Sequence, residues 1–230
     1  MDSPFAIRRH VPNSPDALHC AQASLIMTLE TLGHAEQMTL DQADEITGFR
    51  EGVETWPYSM LAWLGENGYE VRHEDALDAV ALMRDAETEL RRSGLDDETL
   101  EYFLDISDFS REGAAIARCL ASGNVTFVPG IPDPRRLTDR IDARWLPLLS
   151  LDAAVLAERE RDGFEGHMVL VTGFVGQCAV IQDPGPPSRW DWVVPLSRVS
   201  VALRSPADTS GTITYIRRKA GRGGIPHVST

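Results

Sequence analysis

The stretch Gly166–Gly185, GHMVLVTGFVGQCAVIQDPG, decides how the second half of this chain folds. It contains two short apolar runs, Met168–Phe174 and Ala179–Gln182, with the pair Val175–Gly176 between them. Apolar and β-branched runs separated by turn residues are typical of a β-hairpin. The sequence therefore predicts two neighbouring antiparallel strands with their turn at Val175–Gly176.

A histidine and an aspartate stand at the free ends of this predicted hairpin. His167 begins the first strand and Asp183 ends the second, so both lie near the same open end. A carboxylate beside an imidazole fixes its tautomer and favours its charged form, and that cation can stabilise a thiolate. The alternative is structural: the histidine caps a sheet edge, and Asp183–Pro184 forms a turn.

The thiol that such a pair could activate is that of Cys20. A helix is predicted over Cys20–Leu32, because apolar residues recur there at helical spacing and Gly33 follows as a stop signal. A helix N-terminus stabilises a thiolate through its partial positive charge and its unpaired N–H groups. The alternative is a cysteine that packs as a small hydrophobic residue. Cys119 and Cys178 fall inside a predicted helix and a predicted strand, where core packing is expected.

The order of the remaining elements indicates the fold class. Helices are predicted at residues 20–32, 39–48, 58–66 and 75–92, and onward to about residue 121. Strands are predicted at residues 69–71, 125–128, 146–151, 168–174, 179–182, 192–194 and 212–216. This order fits a helical N-terminal half packed on a mostly antiparallel sheet, an α+β domain. No linker divides the chain, so residues 1–216 are predicted as one domain and 217–230, which begin RRKAGRGG, as a flexible basic tail.

Composition and charge exclude several classes of function. The 230 residues carry a net charge of −13, whereas binding to nucleic acid requires a basic surface. The first residues lack the apolar segment of a secretory signal and no apolar run is long enough to span a membrane, so neither secretion nor a membrane span is expected. Three widely spaced cysteines give no disulfide framework, which is consistent with a cytoplasmic location. The cysteines and histidines lack metal-ligand spacing, and no phosphate or dinucleotide motif is present, so no metal or cofactor is predicted.

The negative charge is concentrated between His73 and Glu112, where thirteen acidic residues stand against four arginines. Acid-rich helical segments are usually solvated surfaces. Such a surface could also bind a basic partner, and the sequence leaves both interpretations open.

The sequences around Cys20 and around the hairpin resemble one known family. CAQASLIMTLETLGH, which starts at Cys20, is similar to the nucleophile helix of the double-glycine-leader peptidases, Cys-Gly-x-Ala-x-Leu with a glycine after the helix. LPLLSLDAAVL, GFEGHMVLVTGF and AVIQDPG resemble the second half of those proteins. The resemblance implies a papain-like cysteine peptidase fold. It also implies that Cys20 is the nucleophile, His167 the general base and acid, and Asp183 the residue that orients the histidine.

Two positions depart from the pattern of that family. Ala21 follows the cysteine where a glycine is usual, and Ser14 stands where a glutamine side chain usually helps to form the oxyanion hole. Asn13 and Gln22 are the amide side chains that could replace it. Loss of one oxyanion donor lowers the rate on the order of 100-fold or more. The departure therefore predicts a differently built oxyanion hole, a slow enzyme or a domain without catalysis.

Three functions are consistent with these features. The first is a thiol-dependent hydrolase that cleaves a peptide or amide bond through an acyl-cysteine. The second is an acyltransferase that takes an acyl group from a thioester, because the His19–Cys20 pair and the absent glutamine are also similar to papain-fold acyltransferases of the butirosin pathway. The third is a catalytically silent module that binds peptides or other partners. His19, Trp190 and Trp192 are candidate residues of the substrate cleft.

Overall fold

The computed structural model describes residues 4–34, 36–160, 164–207 and 210–219, and it has the predicted α+β architecture. Its helices are α1 (Cys20–Thr31), α2 (Leu40–Thr47), α3 (Tyr58–Glu66), α4 (Ala79–Arg84), α5 (Ala86–Arg92), α6 (Asp97–Ile106), α7 (Phe109–Ser122), α8 (Leu137–Asp142), α9 (Ala153–Leu156) and α10 (Leu196–Leu203). Its strands are β1 (Tyr69–Asp75), β2 (Val125–Pro129), β3 (Leu146–Asp152), β4 (Gly166–Val175), β5 (Cys178–Asp183), β6 (Arg189–Pro195) and β7 (Thr212–Arg218). The bounds of α1, α3 and most strands lie within two residues of those predicted.

The strands of the described residues form one sheet, in the order β2–β1–β7–β3–β4–β5–β6. Every neighbouring pair is antiparallel except β1 and β2, which are parallel. The sheet is therefore mostly antiparallel, as predicted. Strands β4, β5 and β6 are consecutive in the chain and adjacent in the sheet, and they carry His167 and Asp183.

The turn of the β4–β5 hairpin falls one residue later than predicted. Val175 pairs with Cys178, so the turn consists of Gly176 and Gln177. Gly176 has a φ of 58°, a left-handed conformation that glycine adopts without steric cost. Val175 therefore belongs to the strand, and the predicted turn at Val175–Gly176 is wrong by one position.

A β-bulge at Thr172 in β4 shifts the register of this hairpin by one residue. Beyond the bulge Leu170 pairs with Gln182, whereas an unbroken ladder from the turn would pair Leu170 with Asp183. Residues directly opposite each other share a face of the sheet, and residues three apart on one strand do not. The bulge therefore brings Asp183 to the face that His167 occupies, whereas an unbroken ladder through these same residues would separate the two side chains.

Helix α1 is the buried centre of the helical half. All of its residues from Gln22 to Glu30 are buried, because the helix lies between β4 on one side and α2 on the other. Oγ of Ser24 donates a hydrogen bond of 2.9 Å to the carbonyl of Met168 in β4. This packing holds the helix that begins at Cys20 against the strand that carries His167.

The prediction of one helix over residues 75–92 is wrong. Asp75 ends β1, and the following residues form two helices, α4 and α5. The break has a physical cause, since the side chains of Asp78 and Asp85 accept hydrogen bonds from backbone N–H groups two or three residues ahead, as N-caps do. Some acids of this region are also buried rather than solvated: Glu74, Asp75, Glu89 and Glu112.

The basic run that starts at Arg217 begins inside a strand. Strand β7 extends to Arg218, and Nε of Arg217 donates a hydrogen bond of 2.7 Å to Oε2 of Glu70 in β1. Residues 220–230 of the predicted tail lie outside the described residues. Within the described ranges, no helix has the length and apolar character needed to cross a membrane.

Candidate active site

The side chains of His167 and Asp183 meet at the open end of the β4–β5 hairpin. Nε2 of His167 lies 2.7 Å from Oδ1 of Asp183, and the two side chains are only 10% and 7% exposed. Oδ1 of Asp183 also accepts a hydrogen bond of 2.7 Å from the backbone N–H of Gly185. The turn after β5 therefore holds the carboxylate in place, and the carboxylate orients the imidazole.

The electrostatics of the pair favour an imidazolium next to a carboxylate. Burial lowers the pKa of His167, but its hydrogen bonds to Asp183 and Cys20 raise that pKa more, to about 9. Burial raises the pKa of Asp183, but His167, the N–H of Gly185 and Arg189 together hold it below its ordinary value. Because Nε2 of His167 faces Asp183, Nδ1 is the ring nitrogen left for Cys20.

Cys20 is the first residue of α1, and His19 is the N-cap residue of that helix. Within the described part of the chain, no side chain caps this end of α1. The backbone N–H groups of the first turn are therefore open. They place a partial positive charge beside the thiol, and they can donate hydrogen bonds to an oxygen that becomes negative there.

Asn13 anchors the loop that leads into α1. Its backbone N–H donates to the carbonyl of Pro184 at 2.9 Å, and its Nδ2 donates to the carbonyl of Gly185 at 2.8 Å. Nδ2 also donates to the carbonyl of Ala17 at 3.1 Å, while Oδ1 accepts from the N–H of His19 at 2.7 Å. Both N–H bonds of the amide are thus engaged. The side chain ties the start of α1 to the turn after β5, and as it stands it has no free donor for an oxyanion.

Replacing Asn13 with alanine is expected to lower the free energy of unfolding by about 2 kcal/mol, because several part-buried hydrogen bonds, each contributing roughly 1 kcal/mol, are lost. The measurement is urea denaturation of the purified variants. Asn67→Ala is the matched control, since Nδ2 of Asn67 makes one exposed hydrogen bond of 2.8 Å within its own helix end. Equal losses in the two variants would contradict the anchoring role of Asn13.

The second amide candidate and the histidine of the predicted cleft both contact α2. Gln22 is fully buried, and its Nε2 donates a hydrogen bond of 3.1 Å to Oγ1 of Thr47. Nδ1 of His19 lies 2.6 Å from Oγ of Ser14, and its Nε2 lies 3.5 Å from Oδ1 of Asp44 in α2. The contacts with Thr47 and Asp44 hold α1 against α2, and the contact with Ser14 ties His19 to the loop before α1. The open N–H groups at the start of α1 remain the donors for an oxyanion.

A cavity of about 380 Å³ lies beside the His167–Asp183 pair, and both residues line it. Its other charged walls come from Arg159, Glu165 and Arg189, none of which was a predicted site residue. Only the position of Arg189 in the sequence could have indicated it, because it follows the proline-rich turn after Asp183. The site therefore combines a reactive pair with a charged pocket.

The two predicted cleft tryptophans lie near this cavity but are not among the residues that line it. The ring of Trp190 is half exposed and packs edge-on against His10, with 5.1 Å between the ring centroids. The ring of Trp192 contacts the guanidinium of Arg189, whose Cζ lies 4.0 Å from the ring centroid. Trp192 therefore affects the cavity through the arginine that it supports.

The chemistry available to this site follows from its own groups. A thiol at an uncapped helix start, an imidazolium and a buried carboxylate are sufficient for covalent acyl chemistry. The described residues contain no group of three or more His, Cys, Asp or Glu side chains that could hold a metal ion. In comparisons with known proteins, no family model matched this sequence and no curated protein gave a significant match.

Proposed function

We propose that this chain is a thiol-dependent hydrolase with a papain-like fold, which acts on a peptide or amide bond through an acyl-cysteine at Cys20. The observation that carries the proposal is the 2.7 Å contact between His167 and Asp183, together with the nearby thiol of Cys20, which also raises the pKa of His167. Packing alone does not require a cysteine, a histidine and an aspartate to meet where one helix and two strands begin or end. The packing of α1 on β4 supports the papain-like arrangement.

The proposed reaction has two stages. The thiolate of Cys20 attacks the carbonyl carbon of the substrate, and the carbonyl oxygen takes up the negative charge. The imidazolium of His167 then gives its Nδ1 proton to the leaving amine, and the acyl group stays on sulfur. In the second stage the neutral imidazole removes a proton from a water molecule, whose oxygen attacks the acyl carbon. The C–S bond then breaks, which releases the acid and returns Cys20 to its thiolate form. Asp183 keeps the ring oriented in both stages.

The oxyanion hole favours substrates that are already activated. Asn13 uses its amide to anchor a loop and Gln22 uses its amide against α2, so backbone N–H groups are the donors that remain. Loss of a side-chain donor lowers the rate on the order of 100-fold. A thioester, which is the more reactive substrate, can still be turned over at a useful rate after such a loss, whereas an amide is less reactive to begin with. This observation supports a second candidate, an acyltransferase with a thioester donor in which an amine replaces water.

The first test is the rate at which iodoacetamide alkylates each cysteine at pH 6. We expect Cys20 to react at least about tenfold faster than Cys178, because a thiolate is the reactive form and an ordinary thiol is almost fully protonated at that pH. Cys178 is a suitable internal reference, since both thiols are partly exposed. Cys119 is expected to be unreactive, because burial raises the pKa of its thiol to about 12. The measurement is peptide mass spectrometry of timed, quenched samples.

The variant His167→Ala decides whether the imidazole causes this reactivity. Without the imidazolium, Cys20 is expected to lose its advantage over Cys178 at pH 6. If Cys20 reacts no faster than Cys178 in the unaltered protein, the thiolate–imidazolium pair is absent and the proposal fails in favour of a silent binding module. Incubation of an acyl thioester with and without an added amine then separates hydrolysis from acyl transfer, since the two reactions give different products.

A further inference from the structure

Arg189 occupies a defined place next to the reactive pair. It is the first residue of β6 and pairs in the sheet with Asp183, the last residue of β5. Its side chain lines the cavity together with those of His167 and Asp183. A group on the substrate that binds Arg189 would therefore lie close to the histidine that transfers the proton.

The guanidinium of Arg189 is held in position without a hydrogen-bond acceptor. Its Nη1 lies 3.7 Å from Oδ2 of Asp183, which is longer than a hydrogen bond. Within the described residues this guanidinium makes no hydrogen bond, and it instead lies against the ring of Trp192. A guanidinium supported on an aromatic ring loses little freedom on binding, and its planar set of N–H donors matches a carboxylate.

The second arginine of the cavity is different, because its donors are already engaged. Nη2 of Arg159 lies 2.5 Å from Oε2 of Glu165, and Nη1 lies 3.4 Å from Oε1 of the same carboxylate. Arg159 and Glu165 thus neutralise each other. Arg189 is the cation of the described cavity walls that has no hydrogen-bonded carboxylate of its own.

On the basis of the proposed function, we infer that Arg189 determines substrate specificity by binding a free carboxylate on the acyl group. The substrate class would be acyl groups derived from dicarboxylic acids, in which one carboxyl is activated and the other is ionised. A carboxylate fits better than a phosphate dianion, because the single guanidinium offers one planar pair of donors and the nearby Asp183 repels a dianion more strongly. The net charge of −13 repels acids at a distance, so recognition depends on this local contact.

The test uses two probes that differ in one group. They are the N-acetylcysteamine thioester of glutarate, with a free carboxylate, and its carboxamide isostere. The unaltered protein is expected to prefer the carboxylate probe by about tenfold or more in kcat/KM, mainly through KM, because a charge-assisted bidentate contact is lost with the amide. In Arg189→Gln the preference should fall to within about twofold, mainly because KM rises for the carboxylate probe more than for the carboxamide probe.

Arg198→Gln is the matched control for this substitution. Nη2 of Arg198 pairs with Oε1 of Glu158 at 2.7 Å, its side chain is 27% exposed against 29% for Arg189, and it does not line the cavity. It should keep the full preference. If the unaltered protein shows no preference, or if Arg189→Gln slows both probes equally, the inference is overturned. In the latter case Arg189 acts through Asp183 as a positioning residue.

Binding without turnover separates this inference from the proposed function. If neither thioester is turned over, the proposed hydrolase fails, and the role of Arg189 is decided with Cys20→Ser protein. Calorimetric titration with glutarate monoamide and with glutaramide then compares an acid with its neutral isostere. Tighter binding of the acid that is lost in Arg189→Gln supports the inference, and equal binding of the two compounds overturns it.

Discussion

Replacing Cys20 with serine is expected to lower kcat/KM for an acyl thioester by at least about 10⁴-fold, the scale on which removal of a nucleophile acts in enzymes of this kind. A serine hydroxyl must lose its proton during attack, and His167 cannot accept that proton while it is an imidazolium, the form that Asp183 favours. A cysteine avoids this requirement because it attacks as a thiolate. The measurement is the loss of thioester absorbance in the ultraviolet under steady-state conditions.

Cys178→Ser is the matched control for this prediction. It makes the same exchange at a partly exposed cysteine that begins β5, away from the start of α1. Its activity should stay within about twofold of that of the unaltered protein, as expected for a substitution that touches no reacting group. If Cys20→Ser keeps more than about one tenth of the activity, another group is the nucleophile and the proposed mechanism is wrong.

The second large effect is on the stability of the fold at alkaline pH. The pKa of His167 is about 9 in the folded protein and 6.5 in its ordinary environment. The charged form of His167 therefore stabilises the folded protein fully below about pH 6.5, and this stabilisation is lost as the pH rises through about 9. The difference between the two values corresponds to about 3 kcal/mol in the free energy of unfolding. Urea denaturation at several pH values between 6 and 10 measures it.

His167→Gln should remove most of this decline, because glutamine carries no titrating group. His34→Gln is the control, since Nδ1 of His34 makes one contact of 3.2 Å to Oη of Tyr69, away from the hairpin. Its pH profile should run parallel to that of the unaltered protein. A decline that persists unchanged in His167→Gln would show that other groups cause it and that His167 is not stabilised as a cation.

Features fixed by local patterning were predictable from the sequence. The helix predicted from Cys20 begins at that residue in the structure, and the helix predicted over residues 39–48 begins with a capping box of Thr39 and Gln42 and ends at Gly48, which is left-handed. The two strands of the hairpin were also predictable, because each apolar run is short and bounded by turn residues. Here local propensity and tertiary packing agree, so a short window of sequence is sufficient.

Features that depend on contacts between distant residues were not predictable. No residue near Thr172 predicts a bulge, because a threonine between apolar residues is common in a regular strand. The role of Asn13 depends on Gly185, which is 172 residues away, and the sequence alone made it an oxyanion candidate. The break between α4 and α5 depends on whether an aspartate caps a helix or continues one, and this choice is made by the surrounding structure.

The bulge at Thr172 accommodates one extra residue in β4 without changing which residues face each other at the open end of the hairpin. A protein that lacked Thr172 would pair the same two strands in an unbroken ladder, and Leu170 would still lie opposite Gln182. Its histidine and aspartate would therefore stay on one face of the sheet. When related sequences are aligned, a one-residue gap between the histidine and the turn is thus compatible with an intact pair and does not by itself mark an inactive member.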